Sequence, residues 1–416
     1  MKKILLAFLL LGLLGGWVDN PNEKEKTEVF SVNLKEAEMY YNNGIAKYIL
    51  NDFEQAISDF NMAIMLNPKL TDAYIFRGVI KNDLKQYKEA ILDYDNAIKL
   101  NPQYAGAYYN RGIAKFELKN YREAIIDYNK AIELNPKFAD AYIFRGVTKG
   151  NLNLYEEAIL DYDNAIKLNP KFTLAYYNRG NAKVRLKNYE GAILDYDKAI
   201  ELNPQYAEAY FNRGVAKFDL KNYKEAITDY DKVILLIPMD AEVYYNKGNA
   251  KVELKDHKGA ITDYNKAIEL NPQYAGAYYN RGIAKFELKN YREAISDYNK
   301  AIELNPELVD VYIFRGITKG TLNQYKEAIL DYDNAIKLNP QYAEAYYNRG
   351  IAEYELKNYK EAISDYNKAI ELSPQYAEAY YNRGIVKYEL KNYREAISDF
   401  KKANELNLEL KNLNKD

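Results

Sequence analysis

The chain has no cysteine, which excludes disulfides, thiolate nucleophiles and cysteine-ligated zinc. It has one histidine, His257, with no designed partner beside it such as the triad logic of a catalytic site requires, and one is too few for a histidine metal cluster. Neither sign of charge is in surplus: 58 Lys and Arg stand against 60 Asp and Glu, a formal net charge of −2. No basic stripe is present, so nucleic acid is not an expected partner. Glycine-rich phosphate loops are missing too, since the glycines stand mostly singly. Long apolar runs are also lacking. The longest, ILLAFLLLGLL at Ile4–Leu14, falls short of the roughly 20 residues a membrane-spanning helix needs. Behind Met1-Lys2-Lys3 it reads as a secretory signal over 1–16, which predicts export to a periplasmic or extracellular location. With no cysteine after it, a bacterial lipoprotein anchor is excluded. The alternative is an uncleaved N-terminal tether, or an apolar cap on a cytoplasmic protein. Residues 17–36 turn mostly polar and read as a linker.

What the chain has in excess is tyrosine, 44 against 14 Phe, and most of it comes from one choice repeated. The stretch Ala105–Pro136 returns at 275–306 with a single change, Ile126 to Ser296. Prolines from Pro68 to Pro374 and glycines from Gly44 to Gly384 recur every 34 residues. A period of that length marks a repeat array, which grows by adding units rather than by enlarging one core. Positions are numbered so that Gly112 is position 8 and Pro136 is position 32. Eleven repeats then span 37–410, followed by a polar tail at 411–416.

Within a repeat, apolar residues recur at helical spacing in two runs. In the third repeat they are Tyr108, Ile113, Ala114, Phe116 and Leu118, then Tyr121, Ala124, Ile125, Tyr128, Ala131 and Ile132. Lys119-Asn120 between them allows only a tight turn, and Pro136 stops the second run. Each repeat is therefore expected to be an antiparallel helical pair. Position 8 is Gly and position 20 Ala in every repeat, while positions 4 and 24 are aromatic, so small and large residues alternate as interlocking layers require. Position 7 is mostly Arg and position 23 always Asp, equally far from the turn; the expectation is an in-repeat ion pair, such as Arg111 with Asp127, with the position-11 lysine close by.

The set Tyr108, Gly112, Ala124, Tyr128, Ala131 and Pro136, at period 34, resembles the tetratricopeptide repeat (TPR). The resemblance covers 37–410 and implies an all-α, right-handed α-solenoid of antiparallel helix pairs. It departs from the usual pattern at position 7, where Arg replaces Leu, and at position 11, where Lys replaces Tyr. It further implies that positions 2, 5, 6, 9, 12 and 13 line a concave groove. Carried onto this chain, the candidate ligand-binding residues are Tyr109, Asn110, Phe116, Tyr177, Asn178, Asn181, Asn212, Asn246, Asn249, Tyr279, Asn280, Phe286, Tyr347, Asn348, Tyr381 and Asn382. The position-6 asparagines resemble the asparagine ladder in the TPR superhelix of the transferase that adds N-acetylglucosamine to serine and threonine. A carboxamide both donates and accepts, so such a row can grip a peptide backbone; the plainer reading is that these asparagines only solvate the groove.

Positions 2 and 13 add an acidic rim, for instance Glu208, Asp219, Glu344, Glu355, Glu378 and Glu389, which favours a basic partner. The lysines of carboxylate-clamp TPR domains are missing at positions 2 and 5. No catalytic residue, metal or cofactor is expected: the carboxylates recur in equivalent environments, none set apart as a catalytic pair requires, and His257 occupies a position filled elsewhere by Tyr or Phe. The expected function is a non-enzymatic scaffold binding a protein or peptide along the groove. Binding of a carbohydrate or envelope polymer, or an architectural role as a self-associating spacer, are the alternatives.

Overall fold

A computed structural model describes residues 21–413, with side chains described for 33–407. The expected signal segment at 1–16 lies outside the described residues. Within the expected linker, the residues from Pro21 onward belong to one helix, Pro21–Ile49, that runs into the first repeat. Proline opens that helix, and no further Pro or Gly occurs before Gly44 to stop it. The last helix likewise continues from Tyr393 to Leu413, through the first half of the expected tail, since Leu408 stands where other repeats have proline. Residues 414–416 lie outside the described part.

Every regular element among the described residues is an α-helix, twenty-two in all, in consecutive pairs. The chain divides into two compact blocks, Met1–Lys187 and Asn188–Asp416. Within the first block, Ala105–Glu117 pairs with Tyr121–Leu134. Within the second, Ala275–Glu287 pairs with Tyr291–Leu304.

The turn between the helices of a pair has a definite hydrogen-bond pattern. Lys119 adopts φ 62°, its N–H donates to the Phe116 carbonyl at 2.8 Å, and the Asn120 N–H donates to the Lys115 carbonyl at 2.9 Å. This is the Schellman arrangement that normally places glycine in the left-handed position. Here position 15 is Lys or Asn throughout, at φ between 59° and 65°. The second helix ends differently. The Asn135 side chain accepts from the Lys137 N–H at 3.1 Å, bridging Pro136, which has no N–H of its own. The Tyr108 hydroxyl donates to the Pro102 carbonyl of the preceding repeat at 3.3 Å, which accounts for Tyr at position 4.

The core of each repeat is a tyrosine laid against a glycine. Ala124, Tyr128 and Ala131 are fully buried, and a Cβ on Gly112 would stand 2.6 Å from Tyr128 Cε1. Gly282 and Tyr298 repeat this at 2.5 Å. Glycine at position 8 is therefore imposed by the close approach of the two helices.

Below that contact lies a buried carboxylate. Asp127 is 2 % exposed; it accepts from Arg111 Nε at 2.9 Å and Nη2 at 2.6 Å, and Lys115 Nζ stands 2.9 Å away. The ion pair expected from the sequence is present, with its lysine. The structure adds a third partner: Arg111 Nη1 donates to Asp95 of the preceding repeat at 2.6 Å. The same fork recurs as Arg213 with Asp229 and Asp197, and as Arg349 with Asp365 and Asp333. Each guanidinium also lies over its own position-4 ring, Arg111 at 5.5 Å from the Tyr108 centroid. Burial works against the Arg111 charge, but Asp127 and Asp95 outweigh it and hold its pKa above the ordinary value. In the tenth repeat Glu353 replaces the lysine. There burial, with only Arg349 opposing it, raises the Asp365 pKa.

Removing one arm of this network should be felt in stability. Arg213→Leu leaves Asp229, 3 % exposed in its side chain, with Lys217 alone at 2.7 Å. The expected loss is about 3 kcal/mol, read as a lower urea midpoint; an unchanged midpoint would show that the fork contributes nothing.

Alkali tests the tyrosine core. Burial, with help from Asp83, pushes Tyr48 up to about 12, and burial with Asp72 does the same for Tyr104. Tyr128 and Tyr298 are raised further, also chiefly by burial. A pKa raised on folding gives stability that is complete below the unfolded value near 10 and is lost as pH rises through the folded value. Tyrosinate absorbance is expected to rise in two phases, the second coinciding with loss of helical circular dichroism. A single phase near pH 10 with helicity intact would contradict this.

Candidate functional site

The candidate residues lie on the first helices of the repeats, and the structure separates them into packed and available groups. The position-5 tyrosines are half-buried and close contacts between successive repeats. Tyr109 meets Tyr128 at 6.2 Å, Phe138 at 4.7 Å and Phe144 at 5.7 Å between ring centroids. Tyr279 lies 5.7 Å from Phe314, and Tyr347 lies 4.7 Å from Tyr376. Their rings serve packing first, and burial raises the pKa of Tyr109 and of Tyr279. Tyr177 is half-buried as well. Tyr381 in the last repeat is 53 % exposed and, among the described residues, its ring meets that of its in-repeat neighbour Phe400, at 5.5 Å. Phe116 and Phe286 each lean on the position-17 tyrosine of their own repeat, Tyr121 at 5.4 Å and Tyr291 at 5.3 Å.

The asparagine row divides according to the residue at position 5 of the preceding repeat. Where that residue is Tyr, the amide has a partner: Asn280 Nδ2 donates to the Tyr245 hydroxyl at 3.0 Å, and Asn382 Nδ2 to Tyr347 at 3.1 Å. Asn280 also donates to Asn249 Oδ1 at 2.8 Å, and Asn249 accepts from Tyr264 at 2.8 Å. Asn249 is thus held inside a network rather than facing a ligand. Asn246 follows Phe211 and donates back to the Glu242 carbonyl at 2.9 Å. Asn110, Asn178 and Asn348 follow Ile75, Ile143 and Ile313, which offer no hydroxyl. Asn178 Nδ2 is buried and without a hydrogen-bond partner. Asn181 and Asn212 are half-buried.

Sequence reading missed the tyrosines at position 34. The Tyr342 hydroxyl donates to Asp310 at 2.9 Å. Tyr342, Glu344, Gln375, Tyr376 and Glu378 line a shallow depression, so acids of position 2 and tyrosines of position 34 form one edge. The signal was present, since position 34 is aromatic in most repeats, but it falls in the inter-repeat turn. In the first block, burial raises the pKa of the position-2 acids Asp72 and Asp140. The arrangement offers amide donors, aromatic faces and carboxylates to a ligand. Among the described residues no group of His, Asp or Glu could hold a metal ion, and no helix is long and apolar enough to cross a membrane.

Comparison with known proteins agrees with this architecture. Models described as TPR repeat match residues 78–119, 151–187, 180–221 and 248–289. Models described as tetratricopeptide repeat match 37–70, 105–138, 207–240, 275–308, 315–377 and 377–409. The C-terminal part of a TPR repeat-containing protein from Cytophaga hutchinsonii is 21% identical and superposes with a TM-score of 0.51, covering 58% of this chain and 98% of that one. At that identity it shows the fold alone. A tetratricopeptide repeat protein from Parabacteroides merdae is 22% identical, covering 61% of this chain and 98% of that one, at a TM-score of 0.46. YrrB, a TPR protein with an unusual peptide-binding site, is 27% identical over 44% of this chain and 95% of its own, at 0.39. No curated protein matches the chain by sequence. Proteins of this repeat type are generally non-enzymatic scaffolds that bind proteins or peptides. With the family models covering most of residues 37–409 and helical pairs recurring at their period, the chain belongs to the tetratricopeptide repeat family.

Proposed function

We propose that this protein is an interaction scaffold that binds an extended peptide segment, basic in character, along its first-helix faces. The observation that carries the reading is the divided asparagine row. Asn178, in the first block, holds an unpartnered amide at the repeat position where, in the second block, Asn280 and Asn382 are already engaged. A buried donor without a partner is unfavourable by about 1–3 kcal/mol, and a peptide carbonyl would relieve it. The acidic edge at Glu344 and Glu378 selects Lys or Arg in the partner. On the strength of Met1–Leu14, we place the protein outside the cytoplasm, with partners among exported proteins.

The test is fluorescence anisotropy with a library of basic, neutral and acidic peptides on the full chain. Basic peptides should bind best, and more weakly as salt rises. Asn110→Ala with Asn178→Ala should weaken binding by about thirtyfold without lowering the melting temperature, at roughly 1 kcal/mol for each hydrogen bond. Indifference to peptide charge and to both substitutions would remove the reading. Binding of a glycan polymer instead, through the same tyrosine and amide surface, would assign the protein to carbohydrate recognition. Self-association without either ligand would make it a spacer.

A further inference from the structure

Two glycines have no structural reason to be glycine. Gly150 and Gly320 stand at position 12, in the last turns of the helices Ala139–Asn151 and Val309–Thr321. A Cβ at either would meet nothing within 4 Å, whereas every position-8 glycine with a described environment faces an aromatic ring at 3 Å or less. Glycine within a helix is less favourable than alanine by about 1 kcal/mol. Nothing in the free chain offsets that.

The glycines change what covers a neighbouring ring. In several other repeats an aromatic at position 12 leans on the position-17 tyrosine, as Phe116 does on Tyr121 and Phe218 on Tyr223, at 5.4 and 5.3 Å, and Asn82, Val184 and Val252 stand there in the rest. Gly150 and Gly320 leave that side of Tyr155 and Tyr325 open. Both rings remain oriented, because each hydroxyl donates to its own turn asparagine, Asn153 at 2.6 Å and Asn323 at 2.9 Å.

The chain itself shows what such a ring accepts. In the fourth repeat, Arg185 from the next first helix places its guanidinium 5.5 Å from the Tyr155 centroid. In the ninth, the residue equivalent to Arg185 is Glu355, which is exposed. Desolvation, and after it the Glu355 carboxylate beside the hydroxyl, raise the Tyr325 pKa. Tyr87 with Glu117 and Tyr223 with Glu253 show the same pairing, at 3.5 and 3.2 Å. One notch is therefore filled by an internal cation. The other has the same ring, the same missing side chain, and an acid where the cation was.

We infer that Gly320, Tyr325 and Glu355 form a subsite for an arginine side chain of the bound segment, held by cation–π contact with Tyr325 and by the Glu355 carboxylate. This rests on the peptide-binding reading above and specifies one contact within it. A planar guanidinium stacks on an aromatic face and pairs with a carboxylate at once, which an ammonium cannot do equally.

The test places 3-fluorotyrosine at position 325, or at position 155, in the full chain and follows the 19F resonance during titration with N-acetylarginine amide. The Tyr325 signal should shift to saturation, the Tyr155 signal should stay still, and the neutral citrulline analogue should leave both unmoved. Gly320→Phe and Glu355→Arg introduce residues that other repeats carry at these positions, so folding is preserved. Each should weaken the arginine response by about five- to tenfold. A silent Tyr325, an equal response at Tyr155, or an equal response to citrulline overturns the subsite. If basic peptides bind while Tyr325 is silent, only the subsite falls. If Tyr325 responds to arginine amide but no peptide binds, the groove reading falls instead.

Discussion

A carboxylate buried under every helical pair is the constraint from which the rest of the architecture follows. Asp127, Asp229 and Asp297 are each 4 % exposed or less, and an uncompensated charge at that depth would destabilise the fold by several kcal/mol. Compensation comes from an arginine whose fork has two ends. Nε and Nη2 hold the carboxylate of its own repeat, and Nη1 holds Asp or Asn of the repeat before. Arg281 does this with Asp297 and Asn265, and Arg383 with Asp399 and Asn367. Within each block, the electrostatic need of one repeat is thereby met by a residue that also registers it against its neighbour. A lysine in that place behaves differently. Lys247 reaches Asp231 at 2.6 Å but its own Asp263 only at 3.6 Å, because one ammonium cannot make the planar fork.

The same economy shapes the surface. The contact between the glycine of position 8 and the ring of position 24 lets the two helices of a repeat approach closely, which leaves position 5 to close the gap to the next repeat. Tyrosine does so while keeping a hydroxyl at the face, and that hydroxyl takes the amide of the following asparagine. Isoleucine closes the gap equally well and takes nothing. Ile75, Ile143 and Ile313 are nearly fully buried, at 4 % or less, and the asparagines after them keep their donors. Whether an amide at this position is engaged is therefore set by the preceding repeat as much as by the residue itself. A copy of one sequence unit acquires a different surface when its neighbour changes.

Much of this was legible in the residues alone. The period, the paired helices and the Arg–Asp contact follow from spacing, because helical geometry converts a 34-residue interval into a fixed location. The candidate groove was legible only as a set. Position gave Tyr109, Asn249 and Asn280 the same standing as Asn178, although the first three are engaged within the protein. Hydrogen-bond partners 35 residues apart do not show in a motif read one repeat at a time.

The sequence by itself determined the helical repeat, its 34-residue period and the alternation of small and large residues, because these depend on local periodicity and on side-chain volume. Tertiary structure decided the rest. It placed lysine or asparagine in the left-handed turn at position 15, where closing the helical pair outweighs a local preference for glycine of about 1–2 kcal/mol. It turned the polar stretch from Pro21 into a helix continuous with the first repeat. It also chose which amides, rings and glycines stay unoccupied, since that depends on the partner each side chain meets across a repeat boundary, and no single repeat contains that partner.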